Sequence, residues 1–306
     1  MTNVSNNINR FRPRKMGRAD AGRIALSVLW KILRLVIILG LCYVILYPFF
    51  VKAVNAFKSE MDFMDPTVRF IPRAPTMEFL NRVFNKMNYF KAVFNTFIVS
   101  FLSAVLQTAV CSLSGYGFAR FKFWGNGLIF MLVILTLIVP PQTMMMPLFV
   151  TFANLKLLNS VFPTLILSAT GMGLLNGLFI FMYRQYYRNI PKELEEAAYI
   201  DGCGAFSTFR RIIAPSTVAI TVTVFLLSFT WQWTDTFYSG LFYRDMPILA
   251  NAVKHIGDPE SLIVSPVLKS SMVNTAAMLA VLPVIILYIF AQKLFIQSIE
   301  RSGIVG

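Results

Sequence analysis

Histidine is almost missing from this chain: His255 is the only one in 306 residues. That removes a histidine-centred catalytic site and a metal cluster built on imidazole. Cysteine is nearly as scarce. Cys42, Cys111 and Cys203 have no paired spacing, so they read as small packing residues rather than a disulfide framework or a metal site. The pattern GxxxxGK[ST] does not occur, which closes the phosphate-loop route to nucleotide binding and hydrolysis. No serine–histidine–aspartate or cysteine–histidine set is on hand either, and the chain reads as a non-enzyme without a cofactor of its own. Acidic residues number only 14 against 28 Lys and Arg, and charged residues make up 14% of the chain. Soluble domains carry nearer a quarter.

What fills the space is apolar: 57% of the residues are hydrophobic. A helix that crosses a bilayer needs about 20 mostly apolar residues. Six stretches qualify, at roughly 33–52, 92–118, 126–148, 160–183, 216–237 and 271–296. Outer-membrane strands would instead show alternating segments of about 10 residues. The expected class is an all-α membrane protein with six transmembrane helices in a single bundle. A basic tail covers residues 1–31, the bundle covers 32–300, and a short end covers 301–306.

The net charge of +14 does not point to nucleic acid, because of where it sits. Arg10, Arg12, Arg14, Lys15, Arg18, Arg23, Lys31 and Arg34 precede the first apolar core, opposed only by Asp20. Such a cluster marks the cytoplasmic side and suits an anionic leaflet. Six crossings then return Lys293 and Arg301 to that side, giving N-in, C-in. The loop at 53–91 must lie outside despite Lys58, Arg69, Arg73, Arg82, Lys86 and Lys91. Long loops follow charge weakly, and Glu60, Asp62, Asp65 and Glu78 dilute it. No small-residue cleavage site follows the first apolar run, so that span is read as retained.

Three prolines (Pro66, Pro72, Pro75) make the outer segment irregular, with one short helix near 76–88. Pro140-Pro141 should stop or kink the third stretch, with a short outer helix following within 142–158. Gly173 and Gly177 stand at GxxxG spacing in the fourth, read as packing inside this chain ahead of a subunit seam.

The loop at 184–215 is the most informative polar segment. Pro191 suits a first helical position, with Glu193 and Glu195 in the first turn against the dipole. Gly202 ends that helix, and Ser207 is expected to cap a second one carrying Phe209, Ile212 and Ile213 toward the bilayer. Ala197 and Ala198 leave room for another protein to approach, while Glu193, Glu195 and Glu196 offer acidic anchors. The plainer alternative is an interfacial helix on the headgroups, which the acids oppose.

Two polar stripes lie within spans. Thr96, Ser100, Ser103, Gln107, Cys111 and Ser114 share one face of the second, and Thr221, Ser228, Gln232 and Asp235 share one of the fifth. Polar groups in lipid turn toward the bundle or a wet cavity. Bonding between helices and pore lining both remain open, and Ser103, Gln107, Asn176, Ser228 and Gln232 are the pore-lining candidates. Phe229, Trp231 and Trp233 suit stacking on sugar rings or an aromatic belt.

Glu196, Ala197, Ala198, Gly202, Ile212 and Pro215 fall on the Glu-Ala-Ala…Gly spacing of a coupling loop, with Ala214 where Leu is usual. The chain resembles the permeases of ATP-binding-cassette importers on that loop. Further landmarks are Asn95-Thr-Phe-Ile-Val-Ser, Gly115-Tyr-Gly-Phe-Ala-Arg-Phe-Lys-Phe, Val139-Pro-Pro-Gln-Thr with Pro147-Leu-Phe, and Trp231-Gln-Trp-Thr-Asp235. Over roughly residues 30–300 these are similar to the carbohydrate-uptake, maltose-transporter type, and to its smaller six-span permease. The resemblance implies a type I importer bundle in a bacterial plasma membrane. It also implies a second permease, two ATPase subunits holding ATP and Mg, and an extracytoplasmic solute-binding protein. Glu193, Glu196, Ala197, Ala198, Asp201 and Gly202 would then dock the ATPase, and the loop at 238–270 would touch the binding protein. Ser302-Gly-Ile-Val-Gly306 only loosely echoes that family's tail. A non-sugar importer, a stand-alone secondary transporter and a non-transporting scaffold are the rival readings.

Overall fold

The computed structural model describes residues 18–256 and 266–303, with side chains within 26–256 and 268–293. Residues 1–17, 257–265 and 304–306 lie outside the described residues, and with them the expectations on the basic tail, on that part of the 238–270 loop and on the last residues. Among the described residues every regular element is helical. The chain divides into two units, one ending at Val51 and one from Lys52 onward.

Helix α1 (Arg18–Ala56) is long, contains Pro48, and exposes its apolar side chains from Leu26 to Phe50. Cys42 is among the exposed residues of this helix. The outer segment carries two short helices, α2 (Glu60–Met64) and α3 (Glu78–Lys86), where one was expected. Ser59 makes α2 possible by accepting the amide of Asp62 at its N-cap. The segment is held rather than loose. Buried Lys58 donates from Nζ to the carbonyls of Val68 (2.8 Å) and Arg69 (3.1 Å), and buried Asp62 accepts the amide of Arg73.

Helix α4 (Tyr89–Arg120) is the axis of the second unit, and its buried residues enter all three apolar clusters. Among the described residues it is one of three single helices long and apolar enough to cross a membrane, with Leu26–Ala56 and Leu268–Lys293. Of the other three expected spans, the third and fourth are interrupted and the fifth is a shorter single helix. The third gives α5 (Asn126–Leu135), a 3-10 turn (Pro141–Met144) and α6 (Met145–Asn154). Pro140 and Pro141 supply no amide donors there, whereas Pro147 falls in the first turn of α6, where none is needed.

The fourth gives α7 (Phe162–Ala169) and α8 (Asn176–Arg188), parted by a turn in which Gly171 (φ 76°) and Leu175 (φ 57°) are left-handed. Gly173 lies in that turn, so the GxxxG spacing is not a helix motif here. A Cβ on Gly177 would come within 2.8 Å of the Val133 carbonyl of α5 and crowd the Thr136 hydroxyl, which makes the glycine an internal packing residue.

The loop that follows holds α9 (Glu193–Ile200), α10 (Ala205–Thr208), a π turn (Phe209–Ile213) and α11 (Ala214–Ser216). At Thr217 the chain bends by 81° into α12 (Val218–Thr234), the fifth span. Its 17 residues sit at the short end of what crosses a bilayer. The outer side then carries α13 (Phe237–Phe242) and α14 (Leu249–Ile256), and α15 (Pro266–Gly303) closes the unit.

The ring pairs Phe97–Phe229 (6.0 Å) and Phe101–Phe225 (5.7 Å) show that α4 and α12 run antiparallel. Tyr89 and Trp233 each donate to α15, at the carbonyls of Leu279 (3.0 Å) and Ala280 (3.1 Å).

Candidate functional site

Helix α9 begins at Glu193, two residues later than a first-position Pro191 requires, so the proline precedes the helix instead of opening it. Its end is a Schellman turn. Gly202 is left-handed (φ 80°), its amide reaches the Tyr199 carbonyl (3.1 Å), and the Cys203 amide reaches that of Ala198 (2.9 Å). A Cβ on Gly202 would meet no neighbour, so backbone conformation rather than space calls for glycine.

Gly204, not Ser207, stands at the N-cap of α10, and Ser207 lies within that helix. Phe209 and Ile213, expected to turn toward the bilayer, are buried in the bundle beside Tyr116 and Tyr187, while Ile212 is half-buried.

The faces of α9 settle which residues another protein can reach. Glu193, Glu196, Ala197, Asp201 and Gly202 are exposed. Ala198, 2% exposed, faces the chain's own interior, which removes it as a contact in this conformation. Glu195 also points inward. Its Oε1 lies 2.9 Å from Nε of Arg120, with side chains only 9% and 7% exposed, so it is no surface anchor. The spacing from Glu195 to Ala198 is the three-residue step of one helical face, but nothing in sequence ties that face to Arg120. Sequence reading also passed over Leu194, Ile200 and Phe206, exposed at 43%, 87% and 67%, which add apolar area beside the acids.

Below the loop the inner ends of α4 and α8 are tightly joined. A Cβ on Gly115 would stand 2.5 Å from Tyr183 Cβ and 3.0 Å from the Arg184 amide. The Ser112 and Tyr187 hydroxyls share a 2.6 Å hydrogen bond. Tyr116, Tyr187 and Phe209 pack ring against ring, at 5.0 Å for Tyr116–Phe209 and 5.7 Å for Tyr116–Tyr187. Arg184 lies over the Phe130 ring at 3.9 Å.

The five pore-lining candidates are all buried, at 0–3% exposure. Gln107 bridges three segments: its Nε2 donates to the Leu174 carbonyl (3.1 Å) in the α7–α8 break, and its Oε1 accepts from Ser228 of α12. For that pair, bonding between helices is the observed role. Ser103 Oγ and both side-chain polar atoms of Asn176 and of Gln232 have no protein hydrogen-bond partner. The antiparallel register places Ser103 and Gln232 one turn further along from Gln107 and Ser228. Asn176 borders a mostly apolar cavity of about 440 Å³, with Thr136, Pro140, Gly173 and Tyr238 also on its wall.

Of the other stripe members, Ser100 Oγ is also without a protein partner, while Thr96 and Asp235 hold backbone. Thr96 Oγ1 accepts the Leu249 amide (3.0 Å), and Asp235 accepts the amides of Phe237 (3.1 Å) and Ser239 (2.9 Å), holding the start of α13. Phe229 and Trp233 are core residues at 1% and 5% exposure, which removes them as free sugar platforms, and Trp231 packs near Phe179.

A family model described as "Binding-protein-dependent transport system inner membrane component" matches residues 112–301, well over half of the chain. The chain belongs to this family. It is accordingly a multi-pass permease of ATP-binding-cassette transporters. The match takes in α8, the whole α9–α11 loop, α12 and most of α15. Among its relatives is the arabinooligosaccharides transport system permease protein AraQ of Bacillus subtilis (strain 168), 28% identical, with 93% of this chain and 96% of that protein covered. The melibiose/raffinose/stachyose import permease protein MelC of the same organism is 26% identical over 85% and 91%. The sn-glycerol-3-phosphate transport system permease protein UgpE of Salmonella typhi is 26% identical over 87% and 94%. The fold is also that of a chain in the crystal structure of a bacterial transporter for the acidic polysaccharide alginate. There the TM-score is 0.71 at 19% identity, covering 92% of this chain and 99% of that one.

Proposed function

We propose that this permease is one half of the translocation path of a sugar or oligosaccharide importer, driven by an ATPase that docks on the α9–α10 loop. The observation that carries the reading is the two-sided character of α9. One face (Glu195, Ala198) is locked into the bundle while the other (Glu193, Glu196, Ala197, Asp201) is free, with Leu194, Ile200 and Phe206 exposed beside it. A solvated acidic helix with apolar neighbours, rigidly mounted, suits a protein partner that pushes and pulls. Two ATPase subunits would supply ATP and Mg, a second permease would complete the path, and an extracytoplasmic binding protein would deliver solute.

In that path Asn176, Gln232 and Ser103 are the pore-lining candidates with polar atoms to spare. Gln107 and Ser228 hold each other until the path opens. Sugar as cargo rests on the similarity to AraQ and MelC, named for oligosaccharide transport. The relative named for sn-glycerol-3-phosphate favours a second cargo class, a phosphorylated small polyol.

Charge reversal at the free face is the test. In proteoliposomes holding the whole transporter, Glu196→Lys is expected to cut solute uptake at least tenfold while the chain still inserts. Wild-type uptake by that variant would overturn the docking role. Competition between labelled oligosaccharides and glycerol phosphate for uptake decides the cargo class.

A further inference from the structure

Three of the four ion pairs among the described residues lie on the outer segment, among Glu60, Asp65, Arg73, Glu78 and Arg82, with side chains 32–68% exposed. The fourth, Arg120–Glu195, is buried on both sides. Exposed pairs contribute little and can be replaced by water. A buried pair is different, because separating it strands two charges in a poor solvent. Arg120 does more than meet Glu195. Its Nη2 donates to the Ile190 carbonyl at 2.6 Å, the residue just before Pro191 opens the loop. One guanidinium at the last residue of α4 thus holds both the approach to α9 and the first turn of α9 itself.

We infer that Arg120 and Glu195 form a tether that makes α9 and the inner end of α4 move as one body, so that the ATPase stroke enters the bundle through α4. Without it, α9 would reach the spans through its chain connections to α8 and α12 and through apolar contacts such as Ala198, Phe209 and Ile213. Apolar contacts resist compression but slide and part under tension. A link made of a buried ion pair and a charge-assisted hydrogen bond resists both. From the tether the route is continuous. α4 meets α8 at Gly115 and at Ser112–Tyr187, and it meets α12 at Gln107–Ser228. Arg120 and Glu195 are therefore positioning residues, acting on the path through α4 without touching solute or nucleotide.

The inference rests on the docking role proposed above, and its test separates the two. The complete transporter is reconstituted, and solute moved per ATP hydrolysed is measured alongside retention of the ATPase on the purified permeases. Glu195→Gln keeps the size and an acceptor but removes the charge. It is expected to retain the ATPase and hydrolyse within about twofold of wild type, while solute per ATP falls about tenfold. Arg120→Lys, which keeps the charge but loses the two-point fork, should fall by less, about threefold.

The double variant R120M/E195M covers the case in which a lone buried charge prevents assembly. Apolar residues of similar volume commonly replace a buried pair without loss of folding. It should assemble and still move about tenfold less solute per ATP. Wild-type solute per ATP in either assembled variant would overturn the tether, since a pair needed only for folding leaves that ratio unchanged in whatever complex forms. Failure of the wild-type chain to retain any ATPase would instead strike at the docking reading.

Discussion

The inner end of this bundle and its middle are built on opposite principles. At the inner end α4 and α8 touch through a glycine, tyrosine rings stack on Phe209, and Arg120, Glu195, Ser112 and Tyr187 are bonded to one another or to backbone. In the middle, two predicted spans are broken, Leu175 is left-handed, a cavity opens between the breaks, and Asn176 and Gln232 keep polar atoms without protein partners. Such groups cost stability. Under the function proposed above, the closely joined inner end suits a region that transmits force, and the broken, cavity-lined middle suits one that opens. The difference teaches where this chain is made to hold and where it is made to give.

The sharpest way to break that contrast is Gly115→Leu. The new side chain collides with backbone as well as with Tyr183, and overpacking of this kind costs about 3 kcal/mol or more. A large fall in melting temperature in detergent, with poor recovery of folded protein, is expected; an unchanged melting curve would mean that the two helices are not so close. Next comes Gln107→Ala, which unties α4 from both Leu174 and Ser228 and leaves buried partners unmet, at about 1–3 kcal/mol. Thermal melts should show it.

Ser112→Ala removes a single hydroxyl pair and should cost only about 1 kcal/mol, visible in the same melts. Smallest in stability, and most telling for the middle region, is Asn176→Leu. Replacing unpaired buried polar atoms by an apolar side chain should leave the melting temperature equal or slightly higher, yet uptake should fall severalfold if the cavity belongs to the path. A clear loss of stability would instead show that Asn176 has a structural partner.

Much of this was legible in the sequence because local chemistry decides it. A helix needs a left-handed residue at its end, and Gly202 is where the glycine stands. Pro140 and Pro141 cannot donate amides, so the third stretch had to break near them. The break in the fourth was not legible, since Leu175 gives no sign that its backbone will turn left-handed. Glu195 misled for a related reason. Three acids in four residues look alike in a string, and only the rotation of α9 against α4 distinguishes the buried one. Trp233 and Phe229 were ambiguous for the same cause, because a buried aromatic and a sugar platform have the same composition.

The sequence by itself determined the solvent this chain lives in, the approximate spans, the sidedness expected of its charges, the family and the loop proposed to meet a partner. Each follows from the kind and order of residues, since hydrophobic length, proline chemistry and helix-end geometry act over a few neighbours. Tertiary structure decided which polar groups are spent inside the protein. Arg120 lies 75 positions from Glu195, and Gln107 lies 121 from Ser228. Whether such groups bind each other, solute or nothing depends on how helices pack, which no local pattern records.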